Sequence, residues 1–571
     1  MDYLEKYKQW TTDDYFDEAT RKELLELAGN DTEIKDRFYK DLEFGTGGLR
    51  GVLGAGSNRM NIYTVRKATQ GLANYIIKQG GADKGVAIAF DSRKMSPEFA
   101  TEAALCLNAN GIKAYVFESL RPTPELSFTV RELGCIAGIV ITASHNPKEY
   151  NGYKVYWEDG AQITYPKDVE IITEVNAITD YRAVKTMDKE TAIRQGLYHT
   201  IGSEIDDKYI AELKKLVMNP VADECKDMKI VYTPLNGTGN LPVRRILKEL
   251  GFTNVYVVPE QENPDSNFTT VGYPNPEDPK VFTLAKKLAD EVGADLILAT
   301  DPDADRLGVQ VRNDKGEFEL LTGNMSGALI AEYVFSQKAE HNCLPSNAAL
   351  VKTIVTGNMS DQIAKHYGAK LIEVLTGFKY IGEQIKLFKE TGSYEYVFGY
   401  EESYGCLVGT HARDKDAVNA VMTLCEAAAY YKKKGITLYQ QMNHLFEKYG
   451  YYKESLTSVT LKGIEGMQKI KEIMDSYRKN PPLAAGGYKV LKFRDYEADT
   501  IKDIATGTVT PTGLPKSNVL YFELEDDAWC AVRPSGTEPK IKFYFGVKGN
   551  NLEDAQNRLD KLVNDPVFKV D

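Results

Sequence analysis

Residues 136–147 read IAGIVITASHNP, residues 294–306 read ADLILATDPDADR, and residues 394–405 read YEYVFGYEESYG. Each begins with a short apolar run rich in β-branched or aromatic residues and passes directly into a polar loop. A run of that length and composition reads as a strand buried on both faces. Working back from each, the same order of elements precedes it. Strand 85–90, helix 96–110, strand 113–118 and helix 123–134 lead to the first. Strand 228–233, helix 240–250, strand 254–258 and helix 278–292 lead to the second. Strand 349–355, helix 358–367, strand 370–374 and helix 379–390 lead to the third. Strands alternating with amphipathic helices predict α/β layers around buried mixed sheets, repeated three times. Ligands of open α/β sheets sit beyond the carboxyl ends of the strands, so the three polar loops are the expected site.

The remainder differs. After about residue 452 come NVLYFELE, AWCAVR and KIKFYFGV, which alternate like strands, then an amphipathic helix near 551–563. This predicts a separate α+β domain, with KNPPLAAGG at 479–487 as a loop inside it. At 571 residues the chain needs several cores, about three to five domains. The net charge of −12 argues against a nucleic-acid or anionic-membrane partner, which would require a broad basic face. A small phosphorylated substrate stays possible, because a few local cations suffice. The seven cysteines are scattered without a C-x-x-C pair, so neither a zinc site nor a disulfide framework is expected. The charged start MDYLEKYKQW does not read as a signal peptide, and no apolar run is long enough for a membrane span; the chain reads as cytoplasmic.

The loops carry the chemistry. In DPDADR, Pro302 disfavours helix, and an extended course would place Asp301, Asp303 and Asp305 on one side. Three clustered carboxylates repel one another unless a cation lies among them, and hard oxygen ligands suit Mg²⁺. An EF-hand is excluded, since Arg306 and Arg312 stand where its Gly and Glu belong. A strand followed by D-x-D also resembles phosphatases of the haloacid-dehalogenase type, which would make an aspartate the nucleophile. Ser144 is the better nucleophile: it ends a buried strand and precedes the turn-forming His145, Asn146 and Pro147. It is not a lipase elbow, because Thr142 and Asn146 replace the glycines. His145 is placed to orient the serine or a phosphate.

TASHNP, DPDADR, GYEESYG and the late RPSGTEPK at 533–540 together resemble, in order, the four signature loops of the α-D-phosphohexomutase family, in particular its bacterial phosphoglucomutase branch. The resemblance runs from about residue 45 to 540. It implies four domains around a central cleft: a phosphoserine domain at 1–207, a metal domain at 208–324, a sugar domain at 325–452 and a phosphate-binding α+β domain at 453–571. It further implies that Ser144 carries the phosphate and, with Asp301, Asp303 and Asp305, holds Mg²⁺. Glu401 and Ser403 would grip sugar hydroxyls, sharing one side of an extended loop from which Glu402 points away. Arg533, Ser535, Gly536 and Thr537 would bind the non-reacting phosphate, and Arg306 would also contact substrate. Arg50, in GTGGLRG, resembles the family's arginine near the phosphoserine. Lys154 and Lys415 are rival or partner acid/base groups. Where some members have a histidine in the sugar loop, Tyr404 and Gly405 stand here.

The implied activity interconverts glucose 1-phosphate and glucose 6-phosphate, with glucose 1,6-bisphosphate as intermediate and activator. A phosphopentomutase or phosphomannomutase is the alternative. A non-catalytic phosphosugar-binding regulator would need neither Ser144 nor the three aspartates. The expected partner is a sugar phosphate, and the expected state a monomer or weak dimer.

Overall fold

The computed structural model describes residues 2–45, 47–461, 463–535 and 540–570, the side chains of residues 463 and 464 excepted. The chain forms two compact units: Met1–Ser326 with Phe378–Ile436, and Gly327–Gly377 with Thr437–Asp571.

The first unit contains two mixed sheets. One has the strand order Gly48–Val52, Tyr150–Trp157, Ala137–Ile141, Val86–Phe90, Ala114–Phe117, Tyr198–Ile201. The last four run parallel, and Tyr150–Trp157 is antiparallel to both of its neighbours. Every residue of Val86–Phe90 and Ala137–Ile141 is buried, as parallel strands covered by helices on both faces require. Helices Ser96–Ala109 and Thr123–Glu132 make the crossovers. The second sheet has the order Phe318–Leu321, Leu307–Arg312, Leu296–Thr300, Lys229–Thr233, Asn254–Val257, again parallel at one end and antiparallel at the other. The same unit holds the antiparallel pair Glu395–Glu401 and Gly405–Val408, followed by the buried helix Ala417–Lys433, whose first turn is capped by the Asp416 side chain.

In the second unit, Ala348–Thr353 and Lys370–Val374 pair in parallel. Its larger part is an eight-stranded sheet that begins with Tyr451–Thr460 and includes Leu520–Leu524, Trp529–Pro534 and Lys540–Gly549. Helices Gly463–Lys479 and Leu552–Val563 accompany it over an apolar core that includes Phe522, Phe543 and Phe545. The fold class is therefore as expected: three tandem α/β segments with mixed sheets, then a sheet-rich α+β part. Within 479–487, expected to be a loop, Ala484–Ala485 forms a two-residue strand on Tyr488–Asp495.

Two local expectations are corrected. DPDADR is not extended: it is the turn of a hairpin in which Leu307 returns opposite Thr300, with Ala304 left-handed at φ 50°. The amide of Ala304 donates to the Asp301 carbonyl at 2.9 Å, which closes the turn. Nor is the 402–404 loop extended, for Glu401 pairs with Gly405 across a tight turn with Tyr404 at φ 66°. The reason is common to both. Each buried strand is followed by an antiparallel neighbour, so the chain must reverse, and reversal overrides the alternation of an extended strand. The TASHNP loop does the same between Ile141 and its partner Tyr153, with Ser144 at φ 53°.

Candidate active site

Three hairpin loops of the first unit meet through hydrogen bonds. The Leu307 amide donates to the Tyr404 carbonyl at 2.9 Å, and Arg306 Nη1 donates to the Ser403 carbonyl at 3.1 Å and to Glu277 at 2.8 Å. Ser144 Oγ stands 3.1 Å from Asp301 Oδ2 and 3.2 Å from His145 Nδ1. The nucleophile candidate and the carboxylate cluster, 157 residues apart in sequence, are thus in direct contact.

The serine loop is fixed from beneath. Thr142 Oγ1 accepts from the Ser144 amide at 2.8 Å and donates to Asp91 Oδ2 at 2.7 Å. Asp91 also receives the Arg93 amide and the Ser96 hydroxyl. The Arg93 guanidinium, fully buried beside Asp91, donates to the carbonyls of Ser144, Asn146, Pro147 and Tyr150. Four carbonyls on one planar fork hold the loop in its strained, left-handed turn. Asp91, Arg93 and Thr142 were absent from the expected site. Their signal lay in GVAIAF at 85–90, another buried strand running straight into a polar segment, DSR.

The aspartate loop is fixed through its side chains. Asp301 Oδ1 accepts the amides of Asp305 and Arg306. Asp303 Oδ2 accepts Thr123 Oγ1 and Lys154 Nζ, both at 2.8 Å. Asp305 Oδ2 faces Lys415 Nζ at 3.1 Å and Lys154 Nζ at 3.6 Å. Lys415 also pairs with Asp414 at 2.9 Å, and Tyr156 donates to that carboxylate. Gly405 makes room for Lys415, since a Cβ there would lie 2.0 Å from its Cδ. This accounts for glycine at the position after Tyr404.

The electrostatics follow. Burial, then the charges of Asp303 and Asp305, hold Asp301 well above the ordinary carboxylate range. Burial also opposes ionisation of Asp303, but Lys154 and the Thr123 hydroxyl outweigh it and pull that group below the ordinary range. Burial works against the charge on Lys154 and on Lys415 too, yet the facing carboxylates raise both. In the protein alone, two lysines therefore sit among four carboxylates and stay charged. His145 is pushed well below its usual value by burial and by Arg306 and Arg50.

One oxygen from each of Asp301, Asp303 and Asp305 lies within 4.8 Å of the others, and all three residues are buried. Asp303 Oδ1 and Asp305 Oδ1 have no hydrogen-bond partner. Three converging hard oxygens beside Ser144 Oγ fit a small divalent cation.

Glu401 is buried at the end of its strand, and its charge acts on both Arg306 and Lys415. Ser403 is half-buried in the turn. Arg50, on the edge strand Gly48–Val52, is exposed, and Asp303, Arg306 and Arg93 act on it. Arg533 and Ser535 belong to the second unit. Arg533 ends the strand Trp529–Pro534 opposite Lys542, and the Ser535 amide donates to the Lys540 carbonyl at 2.7 Å. Gly536 and Thr537 lie outside the described residues.

Comparison with known proteins bears on what this geometry serves. Domains I, II and III (alpha/beta/alpha) of phosphoglucomutase/phosphomannomutase match residues 41–182, 207–316 and 322–449. The chain is 36% identical to a phosphoglucomutase of Staphylococcus saprophyticus over 558 residues, 98% of each chain. It is 35% identical to one of Staphylococcus aureus over 536 residues, 94% of each. Among solved structures, the open form of the Paramecium phosphoglucomutase parafusin superposes with a TM-score of 0.67 at 21% identity, covering 92% of this chain and 93% of that one. A phosphoglucomutase/phosphomannomutase family protein of Burkholderia thailandensis gives 0.65 at 20%, covering 91% and 96%.

Proposed function

The chain belongs to the phosphoglucomutase/phosphomannomutase family, and from that premise we propose that it interconverts glucose 1-phosphate and glucose 6-phosphate through phospho-Ser144 and a sugar 1,6-bisphosphate. The observation that carries the site assignment is the 3.1 Å contact between Ser144 Oγ and the buried aspartate cluster. A phosphate on Ser144 Oγ would stand against that cluster. The free hydroxyl of the sugar monophosphate attacks phosphorus; the P–O bond to Ser144 breaks as the new P–O bond forms. The hydroxyl proton must pass to a base; Lys154 and Lys415 are the candidates, and because both are charged in the protein alone, either could accept it only after first giving up its own proton. The bisphosphate then turns over and returns its other phosphoryl group to Ser144 Oγ, leaving the isomeric monophosphate.

Asp301, Asp303 and Asp305 would hold Mg²⁺, whose contribution when bound is to neutralise charge on the phosphoryl group. Arg306 and the lysines add fixed positive charge around the same atoms. Arg93 keeps the serine turn in place, so Ser144 need not reorganise between the two transfers. Glu401 is an acceptor-only carboxylate and, with Ser403, suits a pair of adjacent ring hydroxyls in either orientation of the sugar. Arg533 and Ser535, with Gly536 and Thr537, are assigned to the non-reacting phosphate on the signature resemblance. An aspartyl phosphatase is not favoured, since Asp301 spends one oxygen on two main-chain amides and the other on Ser144.

The test is kcat/KM for glucose, mannose and ribose 1-phosphates, primed with the matching bisphosphate. Glucose 1-phosphate is expected to be the best substrate. Glu401→Ala should lower kcat/KM for it by about 100-fold, from lost charge-assisted hydrogen bonds. A clear preference for ribose 1-phosphate would move the chain to the phosphopentomutases.

A further inference from the structure

Glu277 belongs to none of the loops assigned above, yet it holds a side chain of one of them. It ends the segment YPNPE at 273–277, in which Pro274 and Pro276 each fix their own φ. Asn275 braces that segment from within: its Oδ1 accepts the Glu277 amide at 3.1 Å, and its Nδ2 donates to the Tyr273 hydroxyl at 3.3 Å. The segment packs on the strand that leaves the aspartate loop, so closely that a Cβ on Gly308 would lie 2.7 Å from the Pro276 carbonyl oxygen. At its other end the Tyr273 ring stands edge-on to His145 of the serine loop, with centroids 6.0 Å apart. Arg306, the last residue of DPDADR, is caught between this segment and the sugar loop. Its backbone amide is tied to Asp301 Oδ1 at 3.0 Å, and its Nη1 is shared by Glu277 Oε1 at 2.8 Å and the Ser403 carbonyl at 3.1 Å. Nη2 makes no hydrogen bond among the described residues.

We propose that Glu277 is a positioning residue: by fixing Nη1 of Arg306 it aims Nη2 at an oxygen of the phosphate bound in the site. The inference rests on the phosphoryl-transfer reading above and assigns that reading a residue outside its loops. A guanidinium is planar, so a backbone end tied to Asp301 and one terminal nitrogen tied to two acceptors set the direction of the other terminal nitrogen. The Ser403 carbonyl alone would be a single neutral acceptor on a turn; Glu277 adds a charge-assisted bond from a braced segment. Burial opposes the charge on Arg306, and among the carboxylates that offset it Glu277 acts most strongly, ahead of Asp305 and Asp301. The charge of Arg306 is in turn felt at His145 and at Lys415, which sets the guanidinium among the reacting groups. A freely rotating arginine would still attract an anion but would meet the moving phosphoryl group in the right geometry only part of the time, so its release costs rate more than binding. Were Glu277 only a partner for a half-buried cation, its removal would be felt in stability and not in the transfer.

The experiment measures kcat, KM and melting temperature of full-length Glu277 variants on glucose 1-phosphate primed with the bisphosphate, and solves their crystal structures. Glu277→Ala should lower kcat by at least about tenfold and change KM by less than about threefold. Glu277→Gln keeps an acceptor oxygen in the same place without the charge, and should hold kcat within about threefold of wild type. Glu277→Asp keeps the charge but draws the acceptor back by one methylene; it should be severalfold slower than Glu277→Gln, and it guards against misfolding of the alanine variant. In an Arg306→Ala background, Glu277→Ala should cost less than about a further twofold, because the side chain it acts through is gone. In the crystal structures Arg306 should leave the Ser403 carbonyl in Glu277→Ala and stay on it in Glu277→Gln. That readout needs no turnover: a wild type inactive on every sugar phosphate would end the functional reading, and the place of Arg306 in the variants would still decide whether Glu277 positions it. Additive losses in the double variant, Glu277→Gln as slow as Glu277→Ala, an unmoved Arg306 in Glu277→Ala, or a lowered melting temperature with kcat unchanged would each overturn the proposal.

Discussion

The serine loop and the aspartate loop are the same structural element, and they differ in whether the chemically active side chains are themselves tied down. Each is the turn of a hairpin that leaves a buried strand, and each carries one left-handed residue, Ser144 or Ala304. The serine loop is gripped through its backbone: Arg93 takes four carbonyls, and among the described residues Ser144 Oγ is hydrogen-bonded by Asp301 and His145. The aspartate loop is gripped through its side chains as well, by Thr123, Lys154 and Lys415, in addition to the amides of Thr123, Thr238 and Ala417 on its carbonyls. A group that must gain and lose a phosphate has to be left chemically free, so its rigidity comes from elsewhere. At Asp303 and Asp305 the neighbours use one oxygen and leave the other without a hydrogen-bond partner, open to the proposed cation.

Removing the free group should have the largest effect. Ser144→Ala deletes the proposed phosphate acceptor while leaving every backbone bond of its loop in place. Turnover should fall by roughly 10⁴-fold or more, with the melting temperature nearly unchanged. Intact-mass analysis of the wild-type protein should find one phosphate, which peptide mapping places on Ser144. Phosphate on another residue, or a variant that still turns over, would end the comparison.

Next comes the carboxylate grip. Asp303→Asn keeps the shape and the Thr123 contact but removes a charge between Lys154 and the proposed cation. Loss of kcat should be about 10²–10³-fold, the size of a lost electrostatic stabiliser. Metal affinity, read by titration with Mn²⁺, should fall in parallel. Unchanged metal binding would mean that the three aspartates merely neutralise Lys154 and Lys415.

Arg93→Lys tests the backbone grip. It keeps a charge beside Asp91 but loses the fork, and a lysine cannot reach four carbonyls at once. We expect kcat to fall by about tenfold with KM little altered, and the phosphorylated fraction of Ser144 to drop on incubation with glucose 1,6-bisphosphate. Arg93→Ala should instead destabilise the whole unit by about 3–5 kcal/mol, because Asp91 would be left buried without its partner. If Arg93→Lys lowered the melting temperature as much as Arg93→Ala while kcat held, the arginine would be a core ion pair and no more.

How far these differences were legible in the chain depends on their range. The buried strands and their polar endings were legible, because burial on both faces leaves an unbroken local run such as IAGIVI. The gathering of Asp301, Asp303 and Asp305 was expected from the alternation of an extended loop; they do gather, but through a turn. That turn exists because residues 307–312 pair back on residues 296–300, and pairing is not written in the six residues of the loop. Arg93, Thr123 and Asp91 were missed for a similar reason. Their partners lie 51 to 180 residues away in sequence, and only the sheet order brings them together. Lys154 and Lys415 were named from the resemblance; their common partner, Asp305, came from the structure.

The smallest effect is expected at His145, whose Nδ1 lies 3.2 Å from Ser144 Oγ. Burial and the nearby Arg306 and Arg50 push its pKa well below the usual value, so in the unphosphorylated protein the imidazole is neutral near pH 7. A neutral ring can orient a hydroxyl but adds no fixed charge, and it should not shape the pH–rate profile between pH 6 and 8. His145→Asn, which keeps a hydrogen-bonding group at that position, should therefore lower kcat only severalfold and leave the profile unshifted. Stability carries the sign of the shift. Above the unfolded histidine's pKa of about 6.5 the residue contributes nothing that varies with pH. Below it the unfolded chain takes up a proton that the folded chain refuses, so the native state loses stability as pH falls, until the folded pKa is reached. The ceiling is about 1.4 kcal/mol per pH unit, and the ring's partial exposure brings the true slope below that. Chemical denaturation of the dephosphorylated protein at pH 7, 6 and 5 should show a shallower decline for His145→Asn than for the wild type. A variant with the same slope, or with kcat lost by more than about 100-fold, would mean that His145 is charged in the working enzyme and that the serine loop, like the aspartate loop, relies on a side-chain charge.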